Sequence, residues 1–496
     1  MPVAVTVPHA WQGGGQGGGQ GGRRGGQNPA GLVRRVQTEE SKPLRIMIIA
    51  GEASGEMHGA GVVAALKARR PETDVFGVGG ERMERAGCAL VYHIERFSVM
   101  GLTEVVRHLP FIRRALRRLD GLLESRRPDL VILIDYPDFN LRLARKARKR
   151  GIPVLYYISP QVWAWRPRRI HAIVRNVDCM AVVFPFEVEL YEKAGGNVVF
   201  VGHPLLEVLE SRQSRTEFCE SAGLDPDQPI IGMLPGSRVM EVERMLPAMA
   251  GTLKSVQQEL PGTQGVIGLA PTVSRTDLTA CLAGNADLEE DAGRVPVVEG
   301  STYEVMRHAD LLLVTSGTAT LESACFGTPL LVLYRMSRPS WWIARRLVSI
   351  PDIGLVNVVA GRRIAPEFLQ DDVEPESLSP VVMELLKDPA KRQAMARELR
   401  EVRSRLGTPG ASSRVADLAL DMAGGTGEHQ PDDEESGPLG ESGPREESGP
   451  LGGSGPREES GPLGESGPCE ESGPLGESGP REESGPCGEG KADGGH

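Results

Sequence analysis

Four short stretches place charged or hydroxyl side chains on tight turns: Gly51-Glu52-Ala53-Ser54-Gly55, Asp135-Tyr136-Pro137-Asp138, Pro235-Gly236-Ser237-Arg238 and the run Thr315 to Glu322. Asp135 directly follows the apolar run Leu130 to Ile134. Partial burial raises a carboxyl pKa, which moves Asp135 toward a useful general base. Arg238 stands at a helix start, where backbone N–H groups and a guanidinium together make an anion site. Glu241 and Glu243 follow within a turn, so that site is not simply basic. Thr315-Ser316-Gly317-Thr318 offers small hydroxyl residues at another helix start, which suits a diphosphate. Glu322, one turn further on, can accept the two hydroxyls of a ribose. Each stretch also has a plainer reading: Ser54 caps a helix, Asp138 caps the helix Leu141 to Lys149, and Glu322 is a solvated helix residue. Asp135-Tyr136-Pro137-Asp138 is not a DxD clamp, and no other cluster has metal-ligand spacing.

Every one of these turns follows an apolar strand pattern: Ile46–Ala50, Leu130–Ile134, Ile230–Leu234 and Asp310–Val314. Parallel strands buried on both faces read as continuous apolar runs. In open α/β sheets, ligands bind in the crevice outside the carboxyl ends of such strands. Further strands are expected at Val75–Val78, Val154–Ile158, Cys179–Phe184, Val198–Val201, Val266–Ala270, Val295–Val298 and Leu330–Tyr334, alternating with helices. The polar stretch Ser211 to Asp227, ending in Asp-Pro-Asp, marks a domain boundary. His203, after the strand at Val198–Val201, is a modest candidate for a substrate hydroxyl or phosphate. Trp163 and Trp165 form either a sugar-stacking wall or a packed turn. Val105, Val106, Leu109 and Ile112 are interleaved with Arg107, Arg113, Arg114, Arg117 and Arg118. Such a helix either lies in a membrane interface or turns an ordinary apolar stripe to the core. Trp341 to Leu347 is a second apolar-plus-basic surface.

A chain of 496 residues is too long for one compact core, so two domains are expected. Residues 1–42 are a Gly/Gln-rich tail and 424–496 an acidic tail of ESGPxx hexads; neither can bury enough apolar surface to order itself. The net charge of −11 comes largely from the hexad tail. No window of eighteen or more apolar residues exists to span a membrane, and no basic-then-apolar leader precedes the body. Seven cysteines, with no CxxC pair, point to a reducing, cytoplasmic compartment.

Taken in order, the words AGEASGE at Ala50, VMGLTEV at Val99, DYPDFN at Asp135, YYISPQVWAWR at Tyr156, GHPLLE at Gly202, LPGSR at Leu234, TSGTATLE at Thr315 and LVNVVAGR at Leu355 resemble the lipid-A-disaccharide synthase family. The resemblance runs from about Arg45 to Met422. Glu56 stands where the family usually has Asp. It implies an α/β, GT-B architecture of two Rossmann-like domains facing across a cleft. They are an acceptor and membrane-facing domain at 43–210 and a UDP-sugar domain at 228–395. Closing helices at 396–423 would pack back on the first domain. The implied reaction joins UDP-2,3-diacylglucosamine to 2,3-diacylglucosamine 1-phosphate (lipid X) with inversion, giving a β-1,6 disaccharide phosphate and UDP. Carried over by position, Asp135 is the base, with Glu52 and Ser54 lining the acceptor side. Gly236, Ser237, Arg238, Thr318, Glu322 and Asn357 fall on the donor side, Asn357 without a firm role. The resemblance favours the membrane reading of Val105, Val106, Leu109 and Ile112. It implies a peripheral protein on the inner face of the inner membrane, with no cofactor, metal or nucleic-acid partner, and it allows a homodimer. The competing classes are a UDP-N-acetylglucosamine 2-epimerase and a non-catalytic nucleotide-sugar-binding scaffold.

Overall fold

A computed structural model describes residues 43–97, 102–283, 292–347 and 351–424. The tails expected at 1–42 and 424–496 lie outside the described residues, apart from Gly424. The side chains of 102–108, Val105 and Val106 among them, lie outside as well.

Among the described residues, thirteen strands form two parallel sheets. The first holds β1 (Arg45–Ala50), β2 (Asp74–Gly79), β3 (Ala89–His93), β4 (Leu130–Ile134), β5 (Val154–Tyr157), β6 (Cys179–Val182) and β7 (Val198–Phe200), ordered β3-β2-β1-β4-β5-β6-β7. The second holds β8 (Ile230–Leu234), β9 (Gln264–Leu269), β10 (Val297–Glu299), β11 (Leu311–Thr315), β12 (Leu330–Tyr334) and β13 (Glu367–Leu369), ordered β10-β9-β8-β11-β12-β13. All five residues of β4, β8 and β11 are buried, as continuous apolar runs demand. The edge strands β3 and β13 carry no continuous buried run, so no strand was expected at either.

In each sheet the chain starts centrally, builds to one side, then returns to build on the other. The reversal falls between β1 and β4 in the first sheet and between β8 and β11 in the second. Such switch points open a crevice at the carboxyl ends of the strands. The four stretches singled out above follow those four strands.

The last helices join the two lobes. Helix Pro389–Arg405 packs on the second lobe, with Arg405 Nη1 donating to Ala360 O at 2.8 Å. Residues 406–410 cross over, and helix Ala411–Gly424 lies on helix Ala53–Arg69 of the first lobe. Buried Ala416, Ala419 and Ala423 allow the close approach. Arg69 pairs with Asp417 through bonds of 2.5 and 2.9 Å, and Glu207 accepts from Ser412 N and Oγ at 2.8 and 2.7 Å. Of the expected closing segment 396–423, the helix before the crossing packs on the second lobe, while the crossing itself and the helix after it meet the first.

Helix Leu102–Ser125 carries the expected apolar-plus-basic pattern. Leu109 is 37% exposed, but Ile112 packs against the core. Ile112 shares a stripe with buried Ala115, Leu119 and Leu123, at helical spacing, so its membrane assignment is corrected to core.

Candidate active site

Asp135 sits at the first switch point. Ala50 pairs with Ile134, which sets the turn after β1 beside the turn after β4. Glu52 is therefore a near neighbour of Asp135. Asp135 and Tyr136 both adopt left-handed backbone, with φ of 44° and 48°. Two consecutive non-glycine residues in that region cost of order 1–3 kcal/mol each, and surrounding contacts must hold them. Three bonds do so here. Asp135 N donates to Tyr157 O at 3.0 Å. Asp135 O accepts from Tyr156 Oη at 2.6 Å and from Asn140 Nδ2 at 2.7 Å. Tyr156 and Asn140 are fully buried, so the clamp is rigid. Gly51 completes it: a Cβ there would come within 2.3 Å of the Tyr136 ring.

The Asp135 carboxyl is half-buried. Desolvation, then the Glu52 charge, push its pKa up to about 6, partly offset by a hydrogen bond from the Tyr136 backbone. That is the range in which a carboxylate takes a proton efficiently near neutral pH. Glu52 and Ser54 are exposed on the same turn. Ser54 does not cap its helix: the N-cap position is Glu52, and no side chain caps there. Nor does Asp138 cap, because its helix begins at Pro137 behind Tyr136, four residues earlier than expected. Asp138 instead pairs with Arg169 at 2.6 Å.

Behind this turn, Glu187 is a buried carboxylate that sequence reading overlooked. It accepts from Ser159 Oγ at 2.6 Å, Trp163 Nε1 at 3.3 Å and Phe184 N at 3.2 Å. Burial pushes its pKa up to about 7 against those bonds. Trp163 is thereby held edge-on to Phe184 and Phe186, which makes it a packed turn residue. Trp165 remains 36% exposed, with the Arg166 guanidinium 4.8 Å from its ring centre. One ring nitrogen of His203 serves the fold: its Nδ1 accepts from Leu205 N at 3.2 Å, and burial pushes the pKa down to about 3.

The second switch point gathers the donor-side candidates, since β8 and β11 are neighbours ending at Leu234 and Thr315. Gly236 has φ of 128°, and a Cβ on it would meet Glu241 Cβ at 2.5 Å. Glu241 folds back over this turn, accepting from Ser237 N at 2.9 Å and from Arg238 Nη1 at 2.9 Å. The Arg238 side chain is 73% exposed, so most of its donors are open. Thr318 is exposed at the first turn of helix Thr318–Phe326. Glu322 is half-buried on that helix; desolvation raises its pKa, and Tyr303 Oη donates to it at 3.4 Å.

Asn357 is corrected. Its side chain is fully buried, Nδ2 donates to Ala365 O and Glu367 Oε1 at 2.8 Å each, and Oδ1 accepts from Ile364 N and Ala365 N at 2.9 Å each. All four hydrogen-bonding positions of the amide are filled, leaving none for a ligand. Glu367 also accepts from Ile353 N and Gly354 N, so Asn357 orders the turn around Gly354. Asn357→Ala is expected to cost about 3 kcal/mol or more through buried groups left unpaired. Denaturant unfolding checks this; an unchanged midpoint would restore a ligand-facing role.

The family model described as lipid-A-disaccharide synthetase matches residues 46–419. A lipid-A-disaccharide synthase from Trichlorobacter lovleyi is 45% identical over 381 residues, covering 77% of this chain and 98% of that protein. One from Myxococcus xanthus is 42% identical over 383 residues, covering 77% and 98%. Among solved structures, a UDP-GlcNAc 2-epimerase from Neisseria meningitidis bound to UDP-GlcNAc superposes with a TM-score of 0.51 at 14% identity, covering 76% of this chain and all of that one. The glycotransferase of kitacinnamycin gives 0.51 at 17% identity, covering 77% and 100%. These two share the two-lobed GT-B fold. With the family model spanning both sheets and the relatives matched almost end to end, the chain belongs to the lipid-A-disaccharide synthase family, whose members are glycosyltransferases.

Proposed function

We propose that this enzyme joins UDP-2,3-diacylglucosamine to 2,3-diacylglucosamine 1-phosphate by a single inverting displacement. The observation that carries the reading is Asp135: a carboxylate with a raised pKa, clamped in left-handed backbone at a switch point, in a chain 45% identical to a lipid-A-disaccharide synthase. Asp135 takes the proton from the acceptor 6-hydroxyl as that oxygen attacks the anomeric carbon of the donor. The bond from that carbon to the diphosphate breaks, and its electron pair leaves with UDP. Glu52 and Ser54 line the acceptor side. Arg238, with the backbone of Gly236 and Ser237 and the helix start at Thr318, meets the charge that grows on the diphosphate, where stabilisation counts most. Arg238 does this with the donors that Glu241 leaves open. Glu322 takes the ribose hydroxyls. Asn357 acts by holding its turn.

Mass spectrometry of products from purified protein with both acylated substrates tests the reading. The expected outcome is disaccharide 1-phosphate and UDP in equal amounts. Conversion of UDP-N-acetylglucosamine alone to its 2-epimer would replace it with the epimerase reading, and inertness toward every nucleotide sugar would favour a scaffold.

Among the described residues, no helix is long and apolar enough to cross a membrane. Both proposed substrates carry acyl chains, and we place exposed Leu109, on an arginine-rich helix, at the lipid surface. Leu109→Asp is expected to reduce co-sedimentation with vesicles containing anionic phospholipid, without changing turnover of detergent-dispersed substrates. Unchanged sedimentation would remove Leu109 from the interface.

A further inference from the structure

A cavity of about 440 Å³ that the reaction above does not use lies between the outgoing linker and the second lobe. Leu209, Glu210 and Arg212 line it from the outgoing linker, and Arg307, Phe326 and Arg403 from the second lobe. Arg403 lies just before the return crossing at 406–410. Three guanidinium groups therefore face one carboxylate. Glu210 is already paired with Arg212, which donates Nε to it at 3.1 Å. Arg307 spends one N–H on Ser211 O at 3.4 Å, and Arg403 spends one on Cys325 O at 2.9 Å. Each fork has five donors, so both keep most of theirs.

The walls are fastened from behind. Buried Glu304 accepts from Ser211 Oγ at 2.6 Å and Arg212 N at 2.8 Å, while His308 Nε2 bonds Gln213 O at 2.9 Å. On the return side, His203 N donates to Leu406 O at 2.8 Å. The linker is thus pinned by its backbone while the arginine heads stay open. Phe326 contributes an apolar wall and packs against Tyr303, whose hydroxyl bonds Glu322.

The geometry points to an anion site at the hinge: the cavity takes a compact phosphate-bearing anion between Arg307 and Arg403, drawing Arg212 in from Glu210. Guanidinium forks match phosphate oxygens two at a time, which is why arginines suit such a ligand. The bound anion ties the outgoing linker to helix Pro389–Arg405 of the second lobe, just before the return crossing. Its Phe326 wall lies one helical turn from Glu322 on helix Thr318–Phe326. The site itself stands apart from the donor reading proposed above.

Calorimetric titration with inorganic pyrophosphate, in the presence of saturating UDP to block any donor-side diphosphate site, tests this. Wild-type protein is expected to bind one pyrophosphate, and Arg238→Ala to bind it equally. The double variant Arg307→Ala with Arg403→Ala should bind at least about tenfold more weakly, the scale of a lost charge-assisted bond. Arg403→Lys, which keeps the charge and loses the fork, should fall between. Absence of binding to wild type overturns the site. So does loss of binding in Arg238→Ala with the double variant unaffected, which would mean that the probe reads the donor side. Should the double variant not fold, Arg307→Ala and Arg403→Lys measured singly decide, and wild-type affinity in both overturns the proposal.

Discussion

Asp135→Asn is expected to lower turnover by about 10²- to 10⁴-fold, the usual contribution of a positioned general base. UDP affinity should stay unchanged, because the residue belongs to the other switch point. Asparagine is the informative replacement: it is isosteric, and it tolerates the φ of 44° that position 135 requires. The wild-type pH profile supplies a second readout. With the folded pKa at about 6, the rate should rise with pH through about 6 and level off above it. Stability runs the other way. The unfolded carboxyl titrates near its ordinary value of about 3.9, so between about pH 4 and pH 6 the folded state binds more protons than the unfolded one. Stability therefore falls as pH rises across that window, and the penalty persists at neutral pH. Asp135→Asn removes it, so the inactive variant should melt no lower than wild type at pH 7.5. A variant that keeps most of its rate would take the proton-acceptor role away from Asp135. One that loses both rate and stability would show the carboxylate acting as a brace.

Arg238→Ala should reduce kcat by about 10²- to 10³-fold, the scale of removing one preorganised donor from a developing charge. The loss has two sources. The guanidinium no longer meets the leaving diphosphate, and Glu241, left without its 2.9 Å partner, turns an uncompensated carboxylate toward the same turn. Arg238→Lys should recover only part of the rate, because a point charge cannot reproduce the fork. Steady-state kinetics of the two variants decide. Equal and near-normal rates would mean that the diphosphate is held by backbone N–H groups alone.

Much of the fold could be read from the chain. Strands such as Leu130–Ile134 and Ile230–Leu234 are uninterrupted apolar runs, and burial on both faces of a parallel sheet leaves no other pattern. The positions of Asp135 and Arg238 after those runs follow directly. What the pattern could not carry was orientation and saturation. Ile112 looks the same on paper whether it meets lipid or core; only the stripe it shares with Leu119 and Leu123 decides. Asn357 reads as a polar residue near a site, yet its four hydrogen bonds go to the stretch Ile364 to Glu367, seven to ten residues on, a pairing that sequence does not draw. Asn140 and Tyr156, which hold the strained backbone of Asp135, gave no periodic signal, because hydrogen bonds to a carbonyl five and twenty-one residues away have no signature in composition. The DYPDFN word contained Asn140, but not the reason for it.

The most direct test of the central claim is the anomeric configuration of the linkage formed, read by NMR on the product of purified enzyme with both acylated substrates. A single displacement driven by Asp135 gives a β-1,6 bond from an α-linked donor, with one UDP released per disaccharide. An α-linked product, or UDP released with free diacylglucosamine and no disaccharide, would contradict it.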